Sequence, residues 1–300
     1  MVNFQETPDQ TASISEKIKF LKNETFRQRV QSVLSHSILL SGAVIMIIPF
    51  IWMLSTSFKA PGQTFVYPPE WIPDPFVWQN YPEMWTALPF NWFSFNSFKI
   101  SILATIGQIF SCSMAAFAFS TLQFKGRDTL FLVLIATLMI PYQVTLIPSF
   151  ILFSKIGWVG SHLPLWVPAF WGGAFGTFLL RQFFLSIPME LADSARIDGA
   201  NIWQIFWHIY LPLTKPAMAT LAIFTFMWSW NDLLNPLIYV TELKQLTLTI
   251  GLSLFQNQRY GGQWPLMMAG AVISILPIMI TFFMAQKYFI QGITMTGIKR

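Results

Sequence analysis

Residues 186–200 read SIPMELADSARIDGA and form a polar stretch between two long apolar segments of the chain. Ser186 is a candidate N-cap, Pro188 suits a first helical turn, and an acid at Glu190 is favoured by the positive end of a helix. Gly199 then predicts the end of that helix, because glycine adopts the left-handed conformation of a C-terminal cap. The stretch therefore predicts a short helix in a loop.

A second short helix is predicted directly after this one. It can begin at Asn201 and continue through apolar positions at helical spacing until Pro212. Two short helices bent against each other form an elbow, here residues 186–212. We expect this elbow to present a protruding surface to a partner protein.

The composition places the flanking segments in a lipid bilayer. Of the 300 residues, 54% are hydrophobic and only 10% are charged, whereas about 25% are charged in soluble proteins. Six windows of bilayer-spanning or nearly spanning length contain no Asp, Glu, Lys or Arg: 34–54, 101–123, 129–154, 163–180, 216–231 and 263–286. The sequence predicts an all-α polytopic membrane protein with six transmembrane helices.

The distribution of basic residues predicts the orientation. With six spans both termini share one side, and that side holds most of the basic residues, leaving Lys59, Lys99, Lys155, Lys244 and Arg259 opposite. We expect a cytoplasmic arm (1–32), a transmembrane domain (33–290) with an external loop at about 59–99 and a cytoplasmic loop at about 186–212, and a cytoplasmic tail (291–300). The net charge of +5 then reflects topology rather than nucleic-acid binding, since the cations are dispersed.

Two groups of polar residues at membrane depth are candidates for a hydrated pathway. Tyr142 and Gln143 follow a proline in the third span, where a kink is expected, and they either line a polar path or pack against a neighbouring helix. Trp228, Asn231 and Asp232 end the fifth span, where they form either an external aromatic belt with a polar cap or the lining of a pathway.

The chain carries no recognisable source of energy for transport. The six windows lack the ionisable groups that ion-coupled carriers use, and no Gly-Lys-Ser or Gly-Lys-Thr of a phosphate-binding loop occurs. We predict no catalytic residues, no metal site and no cofactor on this chain. A transporter of this kind must take its energy from a partner protein, and the elbow is the natural binding site for that partner.

The elbow resembles the "EAA" loop of binding-protein-dependent ABC importer permeases. The resemblance rests on Asp193-Ser194-Ala195-Arg196-Ile197-Asp198-Gly199-Ala200 followed by Phe206, Ile209, Leu211-Pro212 and Pro216. Asp193 stands in place of the family's leading Glu and Ser194 in place of its first Ala. The resemblance implies that the loop docks on an ATPase subunit through Asp193, Ala195, Arg196, Asp198, Gly199 and Ala200, and that the tail makes a second contact through Gly297 and Lys299.

Further motifs are similar to those of the carbohydrate-uptake subfamily and, within it, of the second permease subunit of the maltose type. They include Ser57-Phe58-Lys59, Tyr67-Pro68-Pro69, Leu179-Leu180-Arg181-Gln182-Phe183-Phe184 and Trp228-Ser229-Trp230-Asn231-Asp232. The resemblance implies a prokaryotic inner-membrane importer of a sugar or oligosaccharide that works by alternating access. Its partners would be a second homologous permease, an extracytoplasmic solute-binding protein, and an ATPase dimer that holds ATP and Mg.

Two other readings of the sequence stay open. The same machinery could import glycerol phosphodiesters or another anionic solute, although the lack of a dense basic cluster in the windows favours neutral sugars. A channel or a non-transporting membrane scaffold would explain the spans, but it would leave the elbow without a purpose.

Overall fold

The protein is described here by a computed structural model that places the backbone of residues 9–256 and 263–297 and the side chains of residues 28–256, 263–284 and 286. The chain divides into two compact units at Ser55 and Thr56. The first unit contains helix α1, Asp9–Thr56, except for its last residue, and this helix has Pro49 inside it. Its portion Gln28–Thr56 has 29 residues and is apolar enough to cross a membrane. The helix passes through residue 32 without a break, so the boundary of the cytoplasmic arm stays a prediction.

The second unit is a bundle of helices. Its α-helices are α2 (Asn80–Ala87), α3 (Phe90–Thr121), α4 (Arg127–Ala136), α5 (Tyr142–Lys155), α6 (Leu163–Trp166), α7 (Ala174–Leu185), α8 (Met189–Ile197), α9 (Ile202–Ile205), α10 (Leu211–Leu213), α11 (Lys215–Trp230), α12 (Leu234–Tyr239), α13 (Leu248–Leu254) and α14 (Trp264–Gly297). Short 3-10 helices cover Pro61–Gln63, Thr137–Met139, Val167–Trp171 and Leu243–Gln245, and one π-helical turn covers Phe206–Tyr210.

The helices confirm the all-helical membrane fold. Among the described residues, four helices are long and apolar enough to cross a membrane, or up to six if each of two bent helix pairs counts as one span. Each of the six predicted windows coincides with one of these elements to within a few residues. The helix of the second span is α3. It starts at Phe90, well before the predicted window, because Lys99 interrupts the apolar run but not the helix.

The third span is broken rather than gently kinked. The pair Arg127–Met139 and Tyr142–Lys155 is bent by 99°. Pro141 lies at the break with an extended backbone (ψ 136°), as its N-cap position before α5 requires. The predicted kink at this proline is confirmed, and its size places Tyr142 at the start of a new helix.

The glycines of the fourth span divide between packing and backbone conformation. A Cβ atom on Gly173 would lie 2.4 Å from Gln108 Nε2, and one on Gly176 would lie 2.7 Å from Cys112 Sγ, so both residues allow α7 to approach α3 closely. Gly172 makes the turn between Val167–Trp171 and α7, because its φ of +86° is a left-handed conformation that favours glycine.

Two hydrophobic clusters hold the second unit together. One cluster packs α3, α7 and α11 against the elbow: Cys112, Ala116, Phe117, Leu180, Phe184, Ala192, Ile205, Phe206, Tyr210, Ala217 and Leu221. The other joins α2, the start of α3, the end of α11, α13 and α14: Met84, Leu88, Phe90, Phe93, Phe226, Trp230, Leu248, Phe255, Leu266 and Ala269. Each end of α3 therefore packs into a different hydrophobic cluster.

Polar contacts fasten the start of α3 to a loop much later in the chain. Asn96 Nδ2 donates to the carbonyl oxygens of Lys244 (2.8 Å) and Leu246 (3.0 Å). The backbone N–H of Leu248 donates to Ser97 Oγ at 2.8 Å. These bonds fix the turn at Leu243–Gln245 against α3.

Candidate coupling and pathway sites

The first helix of the elbow is α8. It begins at Met189 with Pro188 as its N-cap residue, so the prediction of Ser186 as N-cap is wrong. Ser186 instead caps the C-terminus of α7, where its Oγ donates to the Phe183 carbonyl at 2.7 Å. Glu190 lies in the first turn of α8, near the positive end of the helix as predicted.

Gly199 makes the corner of the elbow. Its φ is +85°, a left-handed conformation that costs a side-chain-bearing residue about 1–2 kcal/mol. The backbone N–H of Gly199 donates to Arg196 O at 3.0 Å, and that of Ala200 donates to Ala195 O at 2.9 Å, which is the bonding pattern of a Schellman cap. The predicted glycine stop is confirmed.

The second helix of the elbow starts in a capping box. Asn201 Oδ1 accepts from the backbone N–H of Gln204 at 2.9 Å, and Gln204 Oε1 accepts from the backbone N–H of Asn201 at 2.8 Å. The helical run Ile202–Leu213 then meets α11 at a bend of 76°. The start predicted at Asn201 and the end predicted near Pro212 are confirmed.

A cluster of aromatic rings anchors the elbow to the spans. Phe117 of α3 lies 5.2 Å from Phe206 and 5.0 Å from Tyr210 between ring centroids, and Phe184 of α7 lies 5.4 Å from Tyr210. All four rings are buried. Sequence reasoning assigned no role to Phe117, Phe184 or Tyr210, because a buried contact between distant segments leaves no local pattern.

The opposite face of the elbow is exposed. Asp193 and Arg196 form an ion pair of 2.7 Å on the surface of α8, and Ile197 is 87% exposed. A depression of about 390 Å³ lies in the angle between the helices, and it is lined by Ala195, Asp198, Gly199, Ala200, Gln204, Ile205, His208 and Ile209. The structure thus gathers the predicted coupling residues of the loop on one corner.

The tail residues predicted to make a second contact are Gly297 and Lys299. Gly297 is the last residue of α14. Lys299 lies outside the described residues, so its role stays a prediction.

The two groups of pathway candidates meet through Asn235, which sequence reasoning did not select. Tyr142 Oη donates to Asn235 Oδ1. The Asn235 amide donates to Asp232 Oδ2 at 2.7 Å, and the backbone N–H of Asn235 donates to Asp232 Oδ1 at 3.2 Å. Thr249 Oγ1 donates to the Asp232 carbonyl oxygen at 2.8 Å. The break in the third span is therefore bonded to the end of the fifth.

The other pathway candidates do not join this polar network. Asn231 Nδ2 donates to Met227 O within its own helix at 2.8 Å. Trp228 is 80% exposed and Gln143 is exposed. Tyr142 and Asp232 thus belong to a hydrogen-bonded group that fixes helix ends. The side chains of Gln143, Trp228 and Asn231 are exposed.

This fold and its elbow define the class of the protein, a polytopic helical membrane protein with a two-helix loop between two of its spans. The chain belongs to the family of binding-protein-dependent transport system inner membrane components, whose family model matches residues 107–295. The match begins within α3 and covers the later spans, the elbow and most of α14.

Two named permeases resemble nearly the whole chain. The sn-glycerol-3-phosphate transport system permease protein UgpE of Yersinia enterocolitica is 30% identical over 89% of this chain and 97% of its own length. The arabinooligosaccharides transport system permease protein AraQ of Halalkalibacterium halodurans is 34% identical over 86% of this chain and 92% of its own length.

A solved structure shares the fold. A chain of a bacterial ABC transporter that imports the acidic polysaccharide alginate superposes with a TM-score of 0.76 at 23% identity, covering 87% of this chain and 97% of its own. The family and the fold together establish a multi-pass inner-membrane permease subunit of an ABC importer. It is a transporter subunit and not an enzyme, since ATP hydrolysis in such systems belongs to a separate subunit.

Proposed function

We propose that this chain is one of two homologous permease subunits of an ATP-driven importer that moves a sugar or oligosaccharide inward by alternating access. Both termini and the elbow face the cytoplasm, and a solute-binding protein delivers the cargo from the other side. The single observation that carries the proposal is the two-faced elbow: one side is locked to α3 and α7 by buried rings, and the other is an exposed corner.

The elbow transmits motion because it is stiff at both ends. The Schellman cap and the capping box fix the corner, so a displacement of α8 moves the second elbow helix with it. The rings of Phe206 and Tyr210 pass that motion to Phe117 and Phe184. An ATPase dimer that contacts the corner differently in its open and closed states shifts the permease between its two conformations. ATP and Mg are bound by the ATPase, and this chain binds no cofactor.

The coupling contact consists of the loop residues gathered at the corner. Asp193, Arg196 and Asp198 supply charge, and Ala195, Gly199 and Ala200 keep the surface low enough for close approach. A second contact through Gly297 and Lys299 belongs to the same proposal.

The cargo is assigned to carbohydrates on the names of the relatives. AraQ is named for arabino-oligosaccharides and UgpE for sn-glycerol 3-phosphate, so a phosphorylated polyol is the second candidate. The pathway would pass the polar groups of Tyr142, Gln143, Trp228, Asn231 and Asp232, since sugars exchange hydrogen bonds with such side chains.

Reconstitution of the assembled importer tests the function. The complex is placed in liposomes, and ATP hydrolysis is measured with the binding protein loaded in turn with neutral sugars, oligosaccharides and glycerol phosphodiesters. One loaded binding protein should stimulate hydrolysis. Asp198→Ala should reduce that stimulation, while Asp128→Ala, which changes an exposed acid in the first turn of α4, should not. A complex that assembles but responds to no ligand would refute the importer and leave a scaffold or channel.

A further inference from the structure

A pocket of about 530 Å³ lies at the predicted extracytoplasmic end of the bundle, far along α3 from the elbow. Its volume is typical of sites for small molecules. Three separate segments form it: the first turns of α3, the residues that lead into α6, and the turn Leu243–Gln245. The Asn96 bonds to Lys244 O and Leu246 O hold two of these walls together, so the pocket is a built feature of the fold.

The charged groups that line the pocket are all basic. Lys99 and Lys244 both border it, and among the described residues that line it none is acidic. Lys99 Nζ lies 6.0 Å from the ring centroid of Phe95. The nearby Glu242 carboxylate accepts a bond from Gln245 Nε2 at 2.9 Å. Two ammonium groups beside a cavity without a carboxylate produce a positive potential that attracts an anion.

The neutral polar groups of the pocket suit a ligand with hydroxyl groups. His162 Nε2 is 2.7 Å from Gln245 O. Burial lowers the pKa of His162 more than its hydrogen bond to Gln245 O raises it, and the charge of Lys99 lowers it further, which favours the neutral ring. Gln245 Oε1 is buried and accepts no hydrogen bond from any described residue, so a turn of this side chain toward the pocket would offer an acceptor to a hydroxyl donor. Trp92 and Trp166 supply apolar walls.

We propose that this pocket binds a phosphoester that carries hydroxyl groups, with Lys99 and Lys244 holding the phosphate and Gln245 Oε1 accepting from a hydroxyl. Two sources offer this chemistry at a membrane surface: a free polyol phosphate and the headgroup of phosphatidylglycerol. The inference does not need the import proposed above, because it concerns binding alone, so either can fail without the other.

Binding measurements on the intact complex separate the two sources. The full-length chain is purified from membranes with its bound subunits and placed in nanodiscs of phosphatidylcholine. Radiolabelled sn-glycerol 3-phosphate is the free probe, and glycerol is its neutral competitor. Phosphatidylglycerol retained by the complex, measured by native mass spectrometry after exchange into mixed nanodiscs, is the lipid probe.

Substitutions of the two lysines identify the site. The double variant Lys99→Gln and Lys244→Gln should weaken binding of the preferred probe by about tenfold, since each partly exposed charge contributes modestly. The double variant Lys99→Arg and Lys244→Arg keeps the charges and should keep binding, which also shows that the fold tolerates change there. Lys155→Gln is the matched control, a lysine of α5 on the same predicted side that does not line the pocket.

Each outcome decides the proposal. Lysine-dependent binding of sn-glycerol 3-phosphate supports a solute site, and lysine-dependent retention of phosphatidylglycerol supports a lipid site. Methyl phosphate should bind more weakly than sn-glycerol 3-phosphate, and equal affinity would overturn the role of Gln245. If neither probe is preferred over its neutral counterpart, or if the glutamine variant binds as well as the original chain, the pocket is not a phosphoester site.

Discussion

Substitution of Gly199 separates the conformational role of the elbow corner from its contact with a partner. A Cβ atom at Gly199 meets no atom of the described chain within 4 Å, so the first atom of a side chain points into open space there. The cost inside the chain therefore comes only from its φ of +85°, and it is about 1–2 kcal/mol for Ala and for Leu alike. Asn tolerates the left-handed conformation better and should cost less.

Hydrogen exchange at the corner measures this cost directly. The amide of Ala200, which donates to Ala195 O at 2.9 Å, closes the Schellman cap. A loss of 1–2 kcal/mol should speed its exchange by about 5–30-fold in both Gly199→Ala and Gly199→Leu. Gly199→Asn should lie nearer the original chain. Equal protection in all four proteins would show that the left-handed corner does not stabilise the elbow.

Coupled transport should depend instead on the size of the side chain at position 199. If an ATPase surface lies against the open space at Gly199, Gly199→Leu should abolish stimulated ATP hydrolysis and uptake, whereas Gly199→Ala should retain part of both. The membrane spans should stay folded, because Gly199 is outside the cores. Normal uptake by Gly199→Leu would contradict the proposed contact at this corner.

Three further predictions concern the packing, the pH response and the polar network. Gly251→Ala should destabilise the protein by about 1–3 kcal/mol, because its Cβ would lie 2.2 Å from Phe93 Cδ2; thermal unfolding against Gly62→Ala, where a Cβ meets nothing within 4 Å, measures the difference. Lowering the pH from about 7.5 to 5.5 should destabilise the protein, because the pKa of His162 is lower in the folded state than its usual value of about 6.5 and the unfolded chain takes up the proton first. His162→Gln should make the melting temperature less dependent on pH, and an unchanged dependence would contradict this assignment. Asn235→Leu removes the amide that joins the third and fifth spans and should cost about 1 kcal/mol or more, so a melting temperature equal to that of the original chain would argue against a structural role for the network.

The elbow was predictable from the sequence because its signals are local. Gly199 and Asn201 each act within one helical turn, and both hold the positions expected of them. Ser186 misled the prediction because a serine suits either helix end: its hydroxyl bonds back to Phe183 at the end of α7 rather than forward into α8. The family resemblance was carried by this same local stretch, and the family match confirms it.

What the sequence could not predict depends on contacts between distant segments. Asn235 was overlooked because only the folded chain brings it to Tyr142, whose position follows from the 99° break. The glycines of the fourth span look alike in sequence, yet Gly172 serves a turn while Gly176 serves a helix contact. Periodicity and composition describe one segment at a time, so they contain no information on either distinction.

The bonds that close the outer end of α3 also set an order of events during synthesis. Asn96 and Ser97 bond to residues that follow them by 148 to 151 positions. At about 5–20 residues per second, a ribosome makes those partners roughly 7–30 seconds after the second span. During that interval an amide and a hydroxyl at the membrane boundary lack their native partners, although such groups are costly to leave unmet in lipid. The start of the second span is thus completed only after residues 244–248 have been made, and the finished end of the bundle records that translation has passed the fifth span.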